Sequence, residues 1–350
     1  MKKIRPAIIS SDSCDLLRTE EKSEIAKDET VLHIKYIINT SALILLSAGS
    51  FQMAEASVYA PSTTCVSTPG TFTVGQGTYG PTTAGPSGGV GTYANILGCN
   101  ANGNDLSAAT VFGSYAQVTG EAGAAFGFSS LAGKWASAFG LSGTATGIAS
   151  TALGFGARAL SNSTVAIGGA GGDGTTPLTP ANSTTATGVG SIAIGSNAVR
   201  GAQTNANDAI AIGGESTASA LSSIAIGRGA IAGNANSVAL GNGAITAVTN
   251  PITNGFINGT NFTYAGGAPV GVVSVGAVGS ERQITNVAAG RITPTSTDAV
   301  NGSQLAATNL AVNGIGTTVT NINNGAGIKY FHTNSLLIDS TASGTDSVAV

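Results

Sequence analysis

Three features of this 350-residue chain have the residue types and spacing of chemical sites. Gly75-Gln76-Gly77-Thr78-Tyr79-Gly80 has the G-x-G-x-x-G spacing of a turn that cradles a dinucleotide pyrophosphate. Gly168-Gly169-Ala170-Gly171-Gly172-Asp173 matches the first six positions of a Ca²⁺-binding β-roll repeat. Cys65 and Cys99 form an even pair of thiols once Cys14 is set aside.

Only the cysteines keep their chemistry when the surroundings are read. A dinucleotide site needs strand, turn and helix in succession. The residues after Gly80 are Thr-, Pro- and Gly-rich and do not read as a helix. The Ca²⁺ motif occurs once, has Thr175 where an apolar residue belongs, and lacks the stacked copies such sites need. Histidine occurs twice, at His33 and His332, so no Ser/His/Asp set can be assembled. His332, beside Tyr330 and Phe331, reads as packing rather than as a ligand. No C-x-x-C and no carboxylate pair stands out, so we expect no cofactor, no metal and no enzyme.

Composition narrows the field in the same direction. Charged residues make up 9% of the chain against about 25% in an ordinary domain. Nearly half of the charges lie in the first 35 residues. The few cations beyond them cannot build a nucleic-acid surface. With 42% apolar residues, the chain is not a solvating tail. Glycine, at 51 residues, is about twice as frequent as usual. A weakly charged, repetitive, structural chain is what remains.

Residues 1–56 read as a long signal peptide. An apolar centre at 42–49 is followed by Ala54-Glu55-Ala56, with small residues at −3 and −1 of a cleavage site. The competing reading, a membrane-spanning helix, is opposed by Asn39, Thr40 and Ser41, which interrupt the run short of about 18 apolar residues. In an exported chain Cys65 and Cys99 are expected to pair, closing a loop of about 35 residues worth roughly 3–4 kcal/mol. The alternative is two free thiols. Loops and irregular strands are expected between them.

A short apolar unit ending in glycine recurs through the middle of the chain, as ATVFG, GAAFG, ASAFG, STALG, TVAIG, SIAIG, AIAIG, SIAIG and SVALG. Its closing residues are Gly113, Gly127, Gly140, Gly154, Gly168, Gly195, Gly213, Gly227 and Gly241. Most intervals are 14 residues; one is 27 and one is 18. The 27 fits one weak copy plus an insertion around 169–184, and the 18 fits four extra residues near 203–207. A degenerate copy ends at Gly98. Glycine every 14 residues is costly in a helix, at about 1 kcal/mol each. Val, Ile and Phe flanked by Gly, Ser, Thr and Asn favour short strands and tight turns. One repeat therefore reads as one coil of a parallel β-roll, with the glycine in a turn conformation that a Cβ resists. In SIAIG, Ile192 and Ile194 face one way and Ala193 the other. A lone roll needs only its inner face apolar. The second, small apolar face is expected to pack against another copy of the chain, or else its alanines are simply small surface residues.

After Gly241 a Thr/Asn/Gly-rich connector leads to ERQITNVAAG and then TDAVNGSQL (281–305). From there Leu305, Thr308, Val312, Ile315, Val319 and Ile322 recur at intervals of 3 and 4, the a/d pattern of a coiled coil. β-branched residues at both positions favour three or more strands. Gly314 and Gly316 weaken the helix, and so short a coiled coil depends on oligomeric neighbours. The final SVAV begins another unit.

These residues resemble the YadA-like trimeric autotransporter adhesins of Gram-negative bacteria. The SIAIG units are similar to the family's head repeats, and 281–305 to its neck. The resemblance implies an all-β homotrimer of left-handed parallel β-rolls, a neck containing Asp298, Asn301, Gln304 and Leu305 in structural roles, and a short trimeric coiled coil with Leu305, Val312, Ile315, Val319 and Ile322 in its core. It implies a location at the bacterial surface, attachment to host extracellular matrix or cells, and an outer-membrane link through a C-terminal anchor missing from this chain.

The organisation expected is a signal peptide (1–56), a Gly/Thr/Pro-rich segment (57–92), β-roll head repeats (93–244), a connector (245–280), a neck (281–304), a coiled coil (305–327) and the start of a second head (328–350). The function expected is that of a surface adhesin, with a ligand-free surface solenoid or biofilm spacer as the alternative. Loops 169–184 and 203–207 are the candidate ligand-binding insertions, because loops carry specificity on repeat scaffolds.

Overall fold

The computed structural model describes residues 57–59, 65, 71–80, 82, 84–326 and 343–345. The signal-peptide segment 1–56, Cys14, His332 and nearly all of the second-head segment lie outside the described residues.

The repeat units form the coils of a parallel β-solenoid. Each apolar triplet is a three-residue strand, and the triplets pair in parallel, coil to coil, in a 12-stranded sheet. A second strand of two residues follows on each coil, building an 8-stranded sheet opposite the first. Corresponding residues stack in register: Ala138 on Ala152, Ala193 on Ala211, Ala225 on Ala239.

The closing glycines explain why the period survives. Gly113, Gly127, Gly140, Gly154, Gly195, Gly213, Gly227 and Gly241 have φ between 108° and 147°. A methyl on Gly127 would lie 2.6 Å from the carbonyl oxygen of Gly140 one coil on. The glycines therefore form a column in which backbone packs directly on backbone. Gly168 is the exception and has no such φ. The 27-residue interval that it opens is a single coil, since Val165–Ile167 pairs directly with Ile192–Ile194. The additional residues leave as a loop.

The core reverses the expected orientation. The alanines at the centre of the triplets, Ala193 and Ala211 among them, are wholly buried inside the roll. The flanking residues point outward: Ile212 and Ile226 are 37% exposed, Leu240 46% and Leu153 47%. The reason is volume. Two strands this short bring the sheets so close that facing rows of methyl groups fill the interior, as with Ala145, Ala159 and Ala186 on the second sheet. The largest fully buried side chains, Ile96, Val111 and Val118, all lie in the first coils. Buried corner hydroxyls satisfy the turns: Ser150 donates to Gly147 and Ser216 to Gly213. It is the isoleucine face, not the alanine face, that is left open.

The 18-residue interval also differs from expectation. Gln203–Thr204 is a regular strand pairing with Thr217–Ala218, so the four extra residues precede it, in 196–202. An Asx turn shapes that bulge, with Asn197 Oδ1 accepting from the amides of Val199 and Arg200.

Beyond the last full coil a hairpin (Asn254–Ile257 with Thr260–Thr263) interrupts the solenoid before Val273–Ser274 rejoins the wide sheet. The neck then leads into helix α1, Gly302–Asn321, and a π-helical turn, Ile322–Ala326. Asn301 caps α1 in a reciprocal capping box with Gln304.

Candidate functional site

The irregular segments of the head gather on one corner of the solenoid. The position after each closing glycine lies there. In early coils it is occupied by Phe128, Leu141 and Phe155, an apolar column. In later coils Gly214, Arg228 and Asn242 take its place.

A strap formed by an excursion of the first coil covers the apolar column. Ser57–Tyr59 pairs with Asn95–Leu97 as the first strand of the wide sheet. The chain then leaves the solenoid and returns at Ser87, which bridges to Asn102. Cys65 is disulfide-bonded to Cys99 on this corner, with a Cα–Cα distance of 5.7 Å. Within the strap, Phe72–Val74 and Gly77–Tyr79 form an antiparallel hairpin around the two-residue turn Gly75–Gln76. This is the stretch with dinucleotide-type spacing; its glycines make a hairpin, and no helix follows. A methyl on Gly75 would lie 2.7 Å from the Phe155 ring and 3.0 Å from Leu141, so the tip sits directly on the column. Tyr79 meets the Phe128 ring edge-on at a centroid distance of 4.8 Å. The Tyr115 hydroxyl donates to Gly80 at 2.5 Å.

The hairpin tip reaches the large insertion. Gln76 Nε2 donates to the Leu178 carbonyl at 2.6 Å and to the Ser183 hydroxyl at 2.5 Å. Asp173 turns this insertion on itself. Its Oδ1 accepts from the amides of Thr175 and Thr176 and from the Thr175 hydroxyl. These donors hold its carboxyl at about 2. The carboxylate that gave the segment its Ca²⁺-like appearance is thus engaged by its own loop. Among the described residues no group of three or more His, Cys, Asp or Glu could hold a metal ion.

Between strap, corner and second sheet lies a groove of about 300 Å³. Gln76, Tyr79 and Tyr115 form one wall, and Pro180 of the insertion closes an end. Gln117, Leu131, Thr144 and Arg158, stacked in register on the outer face of the second sheet, line its floor. Further along the corner, the 196–202 bulge is tied down by Arg200, which donates to the Glu215 carbonyl and the Thr217 hydroxyl. The Arg228 hydrogen bond, and then that of Asn197, pull the Glu215 carboxyl below its usual range.

The residues expected in the neck fall into one network, except Leu305. Gln304 both accepts from the Gly290 amide and donates to its carbonyl. Asn301 donates to Val287. Asp298 pairs with Arg291 at 2.7 Å, which lowers its pKa. Leu305 is on α1 and 58% exposed. None of the residues of α1 is buried, and Val312, Ile315, Val319 and Ile322 are all open to solvent. No helix among those described is long and apolar enough to cross a membrane.

Sequence reasoning missed the strap, the corner and the groove. A signal was present: an aromatic or leucine follows the closing glycine in three successive repeats, and nowhere later.

A narrow solenoid with one bulky apolar face open leads through a stitched neck to a helix none of whose residues is buried. Residues 283–328 match the coiled stalk of trimeric autotransporter adhesins. Residues 145–170, 182–198, 205–230 and 218–244 match the YadA head domain repeat. Autotransporter adhesin BtaE of Brucella suis biovar 1 is 55% identical over 74 residues, 21% of this chain and 10% of that protein. Autotransporter adhesin EhaG of Escherichia coli O157:H7 is 39% identical over 116 residues, 26% of this chain and 7% of that protein. The collagen-binding domain of the Yersinia adhesin YadA aligns at 28% identity over 55% of this chain and 84% of that domain, with a TM-score of 0.38. The matched stretches are a tenth or less of the length of these two curated relatives. In its head repeats and its stalk segment the chain is similar to the YadA-like trimeric autotransporter adhesins.

Proposed function

We propose that this chain is the head, neck and upper stalk of a homotrimeric adhesin on a Gram-negative surface, attaching the cell to host extracellular matrix or to host cells. One observation carries the reading: the outward residues of the wide sheet are as bulky and apolar as a core, while the interior holds alanine. Ile192, Ile210 and Ile224 stack in one outward row and Ile194, Ile212 and Ile226 in the other. Burying such a ladder yields about 25 cal/mol per Å², and three copies sharing it would also bring their α1 helices together through the exposed heptad residues.

The second sheet faces the other way with Gln117, Thr144, Gln203 and Thr217 on its surface. That face and the strapped corner are what a trimer would present. Three copies of each site per trimer, and many trimers per cell, would multiply weak contacts into firm attachment.

Sedimentation equilibrium on residues 57–350 tests the assembly. A mass of three chains is expected, and a monomer at micromolar concentration would refute it. Solid-phase binding of the same protein to collagen, fibronectin and laminin tests attachment. Saturable binding to at least one is expected; binding to none would favour a ligand-free spacer.

A further inference from the structure

The groove beneath the strap holds two polar groups with no partner among the described residues. Arg158 stands on its floor with neither a hydrogen-bond acceptor nor a carboxylate partner among the described residues. The other arginines of the corner are engaged: Arg200 with Glu215 and Thr217, Arg228 with Glu215. The Ser142 hydroxyl, which also lines the groove, is buried and has no partner. A buried hydroxyl without a partner costs stability, whereas the half-exposed Arg158 guanidinium, with no acceptor from the protein, is left open to a ligand.

The surroundings define what that is. The floor offers no backbone to a peptide, because its amides are spent between coils: Gln117 on Ser130, Leu131 on Gly143, Thr144 on Ala157. Strand addition, the general way to hold an extended peptide, is therefore closed here. Recognition must come from side chains. Those present are the Gln117 amide, the remaining oxygen of the Gln76 amide, hydroxyls (Ser129, Thr144) and the tyrosine pair Tyr79 and Tyr115, at a centroid distance of 5.1 Å. Amides and hydroxyls both donate and accept, which matches the mixed demand of sugar hydroxyls. Aromatic rings supply the apolar wall for a ring face. The single guanidinium presents a planar fork to a planar carboxylate.

We propose that this groove binds a carboxylate-bearing sugar residue, with Arg158 holding the carboxylate and the Gln, Ser and Thr side chains reading the hydroxyls. The groove opens beside the polar sheet, away from the isoleucine ladder, so assembly through that ladder leaves it accessible. The inference names a ligand class for the attachment function above and rests on that reading for its biological meaning, not for its chemistry.

Saturation-transfer NMR on the purified full chain tests it, with glucuronic acid and N-acetylneuraminic acid as probes and glucose and acetate as controls. Saturable transfer to at least one acidic sugar is expected, with none to glucose and no displacement by equimolar acetate. Arg158→Gln should weaken binding about tenfold or more, because a charge-assisted bidentate pair is lost. Arg158→Lys should recover part of it, and Gln117→Ala should weaken binding a few-fold. Arg200→Gln, on the same corner but outside the groove, should leave it unchanged. Transfer to glucose equal to that of the acids, full displacement by acetate, an unaltered Arg158→Gln variant, or tighter binding of a glutamate-rich peptide would each overturn the proposal. Attachment of displaying cells to matrix is scored separately. Intact attachment without any sugar signal refutes the groove alone, whereas sugar binding without attachment refutes the adhesin reading alone.

Discussion

Gln76, at the tip of the strap hairpin, donates to the main-chain carbonyl of Leu178, 102 residues further along the chain. The two insertions that depart most from the repeat are thus fastened to each other. The strap does not merely lie on the apolar column; its far end is anchored in the loop of a later coil.

If that anchor orders the strap, Gln76→Ala should loosen residues 72–79 while leaving the coils intact. Hydrogen exchange of the Phe72 and Tyr79 amides, a hydrogen-bonded pair of the hairpin, should rise by about tenfold, corresponding to roughly 1–1.5 kcal/mol for one hydrogen-bonding side chain. Exchange at Ala211 and Ala225 should not change. Uniform acceleration across the head would show that the strap and the coils unfold as one.

The Cys65–Cys99 disulfide closes the outgoing limb of the strap, with a sequence separation of 34. Cys99→Ser should lower stability by about 3–4 kcal/mol in the chain-entropy account. Chemical denaturation, with and without reductant, would check this. A variant insensitive to reductant and as stable as the parent would mean that the bond contributes nothing.

Neighbouring residues on one strand should fail in opposite ways. Ala211 is fully buried and Ile212 is 37% exposed. Ala211→Leu overpacks a core built of methyl groups and should cost about 1–3 kcal/mol or more, seen as a lower thermal midpoint. Ile212→Ser should leave far-UV circular dichroism unaltered at high protein concentration and instead shift the proposed trimer towards smaller species on sedimentation. Loss of fold in the second variant would contradict an outward-facing isoleucine.

The insertion loop should resist acid further than an ordinary carboxylate allows. The Asp173 carboxyl is lowered from 3.8 to about 2 by the Thr176 and Thr175 donors. A depressed folded value stabilises the loop above the unfolded value, and that contribution is lost as pH falls through the folded one. The Thr175 and Thr176 amide resonances should therefore stay unchanged down to about pH 4 and move around the folded value of about 2. Asp173→Asn, which can still accept through Oδ1, should keep the turn and abolish the pH dependence. Amide shifts at pH 5 to 6 would exclude this assignment.

Much of the fold was legible because the closing glycine recurs on a fixed period, and only a coil that stacks backbone on backbone needs it to. Direction was less legible. A triplet such as Ile192-Ala193-Ile194 has two apolar faces, and alternation alone does not say which is inside. Volume does: a coil closed by strands of three and two residues has room for Ala193 and none for Ile194. The extra residues of the 18-residue interval were hidden because Gln203, Asn205 and Asn207 look like a loop, whereas Gln203–Thr204 is a strand whose polar side chain simply faces out. The neck was expected from a family resemblance and not from the spacing of Asp298, Asn301 and Gln304, whose side chains reach backbone groups 7 to 14 residues earlier in the chain. The groove was not, since Gln76, Tyr115, Arg158 and Pro180 share no motif and meet only after five coils have stacked.

The strap spans those five coils with both ends tied, by Cys65 to Cys99 and by Gln76 to Leu178. Each coil adds about 4.8 Å along the axis. One coil more or fewer between the two anchor points would carry Leu178 out of reach of Gln76 and pull Phe155 from under the hairpin tip. Among the described residues no such tie measures the distance beyond Gly195, so a coil added or removed there would leave both anchors of the strap in place. The early coils are gauged by their own strap.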